Sequence, residues 1–209
     1  VGLEPIFSND QELAEAATEL AAVEPRFGHA IEIAGTPALE AREGGFAALM
    51  RAVVGQQVSA AAARAIWKRL DDAGLHDAAR VAASDAETLR SFGLSRQKVG
   101  YLLGIARANL DYAALTEVSN DEAIARLTAL PGIGRWTAEI YAIFALRRTD
   151  VMAAGDLALQ ESTRLLFGLD ARPSEAALRR QATAWAPWRS VAARLLWRSY
   201  RVLRGGNAQ

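Results

Sequence analysis

Apolar residues recur at helical spacing along nearly the whole chain, and nothing in it reads as a β-strand of period two. Alanine is frequent, which favours helix. Capping residues and glycine–proline punctuation then cut the pattern into about ten short helices. Ser8 is expected to cap a helix to Val23, ended by Pro25, and residues 25–44 form the least regular stretch. A helix from Phe46 breaks at Gly55-Gln56-Gln57-Val58, and Ser59 caps the next, which ends before Gly74. Ser84 with Glu87 and Ser119 with Glu122 have the spacing of capping boxes. Ser95 opens a helix through Leu110, and others are expected from Arg135 to Arg147 and over 157–168, 174–185 and 188–204. The fold class is all-α.

With 209 residues, the chain suits one compact domain or two small lobes sharing a core. It has no cysteine, which excludes disulfides, thiolate zinc sites, iron–sulfur clusters and a cysteine nucleophile. No run of about 18 uncharged apolar residues is present, so no membrane span is expected, and no secretory signal pattern is visible. His29 and His76 lack metal-ligand spacing. A net charge of zero conceals an asymmetry. Residues 1–50 carry nine acidic residues against Arg26 and Arg42, whereas residues 172–209 carry eight arginines against Glu175. A basic C-terminal end can meet a polyanion locally whatever the overall charge. Of 24 basic residues only Lys68 and Lys98 are lysines. Arginine suits bidentate phosphate contacts, and a GC-rich genome produces the same bias.

The most informative local feature is Leu130-Pro131-Gly132-Ile133-Gly134 between two helices. Two glycines flanking one apolar residue permit a tight hairpin with Ile133 tucked inward. The backbone N–H groups of Gly132, Gly134 and Arg135 then stand at the start of a helix, where free donors and the helix dipole suit a phosphate. Thr137 and Ala138 are small enough for the two helices to approach closely. Any single Gly-x-Gly is more commonly an ordinary turn; the full pattern is far narrower.

Leu127 through Ala138 resembles the helix-hairpin-helix of base-excision DNA glycosylases, and is most similar to 3-methyladenine DNA glycosylase II, the AlkA type. Three further segments agree in the same order: Gly45-Phe46 through Ser59 with its Gly-Gln-x-x-Ser turn, Gly93-Leu94-Ser95-Arg96-Gln97-Lys98, and Pro187-Trp188-Arg189 with Leu196-Trp197. The resemblance implies a terminal lobe from residues 1–44 and 146–209. It also implies a six-helix, barrel-like central lobe, 45–145, that carries the helix-hairpin-helix at about 120–147. A flipped nucleotide would enter between the lobes. The 44 residues before Gly45 are too short and too helical for the full N-terminal β-domain of longer family members, so a compact version is expected.

The family also implies roles for particular residues. Asp156 lies 22 residues beyond Gly134 at a helix start. Taken alone it reads as an N-cap; the resemblance makes it the catalytic carboxylate, facing the sugar as positive charge develops at C1′. Trp136 stands where backbone-cleaving relatives carry a Schiff-base lysine, which implies a monofunctional enzyme without lyase activity. Trp136 and Trp197 match aromatic positions of the lesion pocket, while Ile140 and Arg198 replace tyrosines found in some members and would widen it. Trp67, Trp185 and Trp188 give no such match. Gln57, or Gln56, would fill the gap left by a flipped base. Gly132, Gly134, Arg135 and Thr137 would meet the DNA backbone. The carbonyls of Thr128, Leu130 and Ile133 would hold a structural sodium or potassium ion, and catalysis would need no cofactor.

The function so implied is excision of alkylated bases (3-methyladenine, 7-methylguanine, and by extension 1-methyladenine and 3-methylcytosine) from double-stranded DNA. A monomer in the bacterial cytoplasm or nucleoid would suffice. Two alternatives stay open at this point: a glycosylase for oxidised or deaminated bases, and a non-enzymatic helix-hairpin-helix module that binds damaged DNA.

Overall fold

The computed structural model describes residues 4–40 and 43–205. Arg42, which enters the charge balance above, and both chain ends lie outside the described residues. Among those described there are twelve α-helices and one 3-10 turn, with a single isolated antiparallel bridge, Ile6 to Arg148, as the only β pairing. The chain divides into two compact units, Val1–Ala41 with Ala142–Gln209, and Arg42–Tyr141.

In the first unit α1 (Asp10–Val23) and α2 (Pro25–Ala34) are followed, after the second unit, by α10 (Leu157–Phe167), α11 (Glu175–Gln181), the 3-10 turn Ala182–Trp185 and α12 (Arg189–Gly205). Asn9, not Ser8, caps α1: its side-chain oxygen accepts the Glu12 amide at 2.9 Å, while the Ser8 amide donates to the Glu12 carboxylate. The stretch expected to be irregular starts instead with a helix. Pro25 cannot continue α1 but suits the first position of α2, and Glu24 is the C-cap of one helix and the N-cap of the other. Phe27 of α2 is fully buried edge-on to Trp185 at 5.1 Å and to Phe167 at 6.0 Å, burial worth about 1.5–3 kcal/mol for a phenylalanine. Trp185 is thus a core residue.

The second unit holds α3 (Gly45–Gly55), α4 (Ala60–Asp72), α5 (Ala78–Ala83), α6 (Ala86–Ser91), α7 (Arg96–Arg107), α8 (Asn120–Thr128) and the first part of α9 (Arg135–Phe144). Its core is built from one face of each helix, including Leu49, Met50 and Val53 of α3 and Leu102 and Ile105 of α7. Ser59, Ser95 and Ser119 cap α4, α7 and α8. Ser84 does not cap α6. Its hydroxyl bonds back to Arg80 O and closes α5, and Asp85 takes the cap, one carboxylate receiving both the amide and the hydroxyl of Thr88. Those bonds hold the Asp85 carboxyl below its usual range. Glu122 completes only half of its box, because its carboxylate is engaged by Arg126 one turn on.

The division between units falls inside α9, four residues before the boundary implied by the resemblance. The last turn of α9 is bound into the first unit: Ile143 O accepts from Arg194 at 3.0 Å and Phe144 packs on Trp197 at 5.5 Å. The helix ends at Phe144, short of Arg147, because Arg147 turns left-handed and the following backbone pairs with residues 5–7.

Candidate active site and nucleic-acid interface

In the second unit, α8 and α9 are joined by residues 129–134, and the hairpin is fixed from three sides. Leu130 and Ile133 are buried, and Ile133 N–H returns to Leu130 O at 3.2 Å, so the apolar residue between the glycines plugs the turn. Gly132 adopts a left-handed φ of 77°, and a Cβ there would lie 2.4 Å from the ring of Tyr101. Pro131 packs against Gly104 of α7, where a Cβ would approach the ring to 2.5 Å. These are packing reasons for two glycines. Gly134 has neither constraint: its φ is not left-handed and a Cβ would meet nothing within 4 Å. Nothing in the chain itself requires glycine at this exposed start of α9, and space left open there suits the close approach of a ligand to the backbone.

Arg135 is half-exposed and ion-paired at 2.9 Å with Glu139 one turn on, so its guanidinium lies along α9. Thr137 is buried, which leaves its backbone rather than its hydroxyl for an outside contact. Trp136, by contrast, is 46% exposed, uncommon for so large an apolar ring. Ile140, one turn further along α9, is half-buried.

The α3–α4 turn lies beside this hairpin. Gln56 sends its side-chain amide into the carbonyl of Gly132 at 3.0 Å. Gln57 is exposed and left-handed, with φ of 54°, and its side chain makes no hydrogen bond to a described residue. Non-glycine residues held in the left-handed region cluster at functional sites, although Asn109 and Arg147 adopt it here as well. The structure thereby separates two residues that the sequence could not distinguish: Gln56 is engaged and Gln57 is available.

Asp156 lies in the first unit at the N-cap of α10, where Oδ1 accepts the amides of Ala158 at 2.8 Å and Leu159 at 3.0 Å. The approach to it, Val151 to Ala154, is buried and braced on several sides. Arg189 grips Asp150 through two 2.7 Å hydrogen bonds, and the Ser190 hydroxyl bonds both the amide and the carbonyl of Val151. Gln160, itself buried, donates to Ala154 O at 2.8 Å. Such a mount fixes the position of the carboxylate. Sequence reasoning missed all of these braces, although Gln160 stands one helical turn after Asp156, a spacing that could have marked it.

Trp197, also in the first unit, is half-buried and tilted against Phe144. Arg198 plays a structural part, since its guanidinium donates to Ala34 O at 3.1 and 2.7 Å and closes the C-terminus of α2. Lys68 is exposed and bonded to Asp72, which raises its pKa. Lys98 is buried with Nζ 2.8 Å from Val54 O, and burial lowers its pKa. Tyr112 and Tyr141, which no sequence signal marked, are partly withdrawn from water in the second unit. Burial pushes the Tyr112 phenol up to about 12, aided by the neighbouring Tyr141. Burial also raises Tyr141, whose oxygen accepts the Gly45 amide at 2.7 Å.

Among the described residues no group of three or more histidine or acidic side chains could hold a metal ion, and no helix is long and apolar enough to cross a membrane. An all-helical chain whose glycine hairpin opens a helix, followed by an aspartate capping a later one, has the architecture of a helix-hairpin-helix DNA-repair protein. Residues 50–187 match the family described as the HhH-GPD superfamily of base excision DNA repair proteins, and the chain belongs to that superfamily. It is 35% identical over 163 residues to DNA-3-methyladenine glycosylase 1 of Schizosaccharomyces pombe, covering 74% of this chain and 72% of that one. A DNA-3-methyladenine glycosidase of Bacillus halodurans has a similar structure, with a TM-score of 0.83 and 31% identity over 91% of each chain. The 3-methyladenine DNA glycosylase Mag1 of S. pombe, solved with abasic DNA, gives a TM-score of 0.75 and 30% identity over 88% of this chain and 95% of its own.

Proposed function

We propose that the protein is a monofunctional DNA glycosylase of base-excision repair that removes alkylated bases from double-stranded DNA. The observation that carries this reading is the mounting of Asp156, with one carboxylate oxygen clamped by two backbone amides and the preceding segment locked by Arg189, Ser190 and Gln160. As the bond from C1′ to the base nitrogen breaks, its electron pair leaves with the base and positive charge grows on the sugar. A fixed carboxylate stabilises that charge and orients the attacking water, whose oxygen joins C1′ and whose proton is passed to the carboxylate and on to solvent. Loss of a single preorganised oxyanion-hole donor costs about 2.7–4 kcal/mol, and a contribution of the same order is expected of the carboxylate here.

The substrate class follows from lability together with the relatives, which are named for 3-methyladenine. A purine alkylated at N3 or N7 is a cation and departs as a neutral base without needing an acid. The exposed ring of Trp136 offers a cation–π surface worth roughly 0.5–2 kcal/mol, enough for a mild preference and a broad lesion range. Trp197 is assigned to the same recognition of the lesion, and 1-methyladenine and 3-methylcytosine fall within the same charge logic. The DNA backbone is held at the amides of Gly132, Gly134 and Arg135. Trp136, at the position that the resemblance matches to the Schiff-base lysine of backbone-cleaving relatives, supports hydrolysis without strand cleavage.

A sodium or potassium ion at the backbone carbonyls of Thr128, Leu130 and Ile133 is the resemblance's further implication: Thr128 O lies at the negative end of α8, while Leu130 O already accepts the Ile133 amide at 3.2 Å and would share its second lone pair. It would offset phosphate repulsion and take no part in bond cleavage.

The test is release of free bases from alkylated duplex DNA in EDTA, comparing the protein with Asp156→Asn. Release of 3-methyladenine or 7-methylguanine that leaves intact abasic strands, and is lost in the variant, supports the proposal. Binding without release in both proteins overturns it in favour of another lesion class or a damage-binding module.

A further inference from the structure

We propose that Gln56 is a positioning residue that ties the hairpin to the α3–α4 turn, so that engagement of a phosphate at Gly132–Gly134 sets the side chain of Gln57 for insertion into the duplex. This rests on the functional reading above. The turn is pinned twice just before Gln57. Buried Lys98 donates to Val54 O at 2.8 Å, holding the last turn of α3. Two residues on, the Gln56 side chain donates to Gly132 O at 3.0 Å across 76 residues of sequence. The far end of this bond is equally fixed, because the ring of Tyr101 lies against the Cα of Gly132 and the Tyr101 hydroxyl is bonded by Gln97 at 2.6 Å.

Between these anchors and the α4 cap at Ser59, the backbone places Gln57 in the left-handed region, exposed and without a side-chain partner among the described residues. A left-handed glutamine relaxes readily toward ordinary backbone angles unless its neighbours are held. Gln56 supplies the hold on the N-terminal side. The same bond makes the hairpin carbonyl and the inserting residue parts of one rigid piece, so they cannot adjust separately to the duplex.

The experiment is a double-mutant cycle in the full chain, with Gln56→Leu, Gln57→Ala and the pair. Gln56→Glu serves as a second variant that keeps the shape of glutamine but, as a carboxylate, cannot donate to Gly132 O. One readout is fluorescence of 2-aminopurine placed opposite a tetrahydrofuran abasic analogue in a duplex, which reports insertion without any bond being cut. The second is the single-turnover rate of 3-methyladenine release. Both Gln56 variants are expected to reduce the fluorescence response and to slow release about tenfold, the worth of one net hydrogen bond. In the Gln57→Ala background, loss of Gln56 should add less than about twofold. Additive effects in the two backgrounds, or full insertion by both Gln56 variants, would overturn the proposal. A wild-type protein that inserts into the abasic duplex but releases no base would instead sink the glycosylase reading, and the fluorescence cycle would still decide the role of Gln56.

Discussion

Oδ1 of Asp156 accepts the backbone amide of Leu159 at 3.0 Å, so the proposed catalytic carboxylate is also the cap that starts α10. The two roles can be separated by substitution. Asparagine caps a helix about as well as aspartate, whereas alanine does not. Asp156→Asn is therefore expected to melt close to the wild-type temperature while base release falls by at least about a hundredfold. Asp156→Ala should lose the same activity and, in addition, about 1 kcal/mol of stability. Thermal denaturation beside a base-release assay distinguishes these outcomes. If the asparagine variant retains activity, the carboxylate is only a cap.

The two hairpin glycines should respond in opposite ways. Gly132→Ala places a methyl 2.4 Å from the Tyr101 ring at a left-handed φ of 77°, and a loss of roughly 2–3 kcal/mol is expected. Gly134→Ala meets open space at an ordinary φ, so the variant should fold like wild type. Its methyl would instead obstruct a phosphate at the start of α9, and duplex affinity should fall several-fold. Equal affinity for duplex DNA in wild type and Gly134→Ala would remove the phosphate from that position.

The resemblance sets Arg198 where some family members carry a pocket tyrosine, yet its guanidinium closes α2 through Ala34 O. Arg198→Met keeps much of the stem and removes both hydrogen bonds. A loss of about 1.5–3 kcal/mol is expected for a charged donor taken from a helix end, with the ratio of 3-methyladenine to 7-methylguanine release unchanged. A shifted ratio at unaltered stability would show that Arg198 contacts the lesion.

Alkaline pH provides a test of packing in the second unit. The Tyr112 phenol titrates at about 12 in the folded protein and near 10 when unfolded. Below pH 10 both states keep the proton and Tyr112 adds no pH dependence. Above it the unfolded state loses its proton first, so stability declines until the folded phenol ionises as well. Tyr112→Phe should therefore lose less stability than wild type between pH 10 and 12 in denaturant titrations. Parallel curves for the two proteins would show Tyr112 to be in ordinary contact with water.

The helical class, the hairpin and the serine caps at 59, 95 and 119 were legible from sequence, because each is a local matter of spacing and of one side chain serving amides two or three residues away. The same locality explains the misplaced caps. Ser84 and Asp85 are adjacent candidates, and only the folded geometry lets one carboxylate take two bonds from Thr88 while the serine bonds backwards. Helix α2 is not legible in the sequence because Pro25, Gly28 and Gly35 look like breakers in isolation, whereas the core buries Phe27 and offsets their cost. Of the candidate site, the hairpin glycines were legible from their spacing, whereas the roles of Asp156 and Trp136 are what the family resemblance implies. What the tertiary structure alone decided is which of two adjacent glutamines is engaged, which glycine is left open and which arginine is already in use. Each depends on a partner dozens of residues away, Gly132 for Gln56, Tyr101 for Gly132 and Ala34 for Arg198, and only packing brings such pairs within hydrogen-bonding or van der Waals distance.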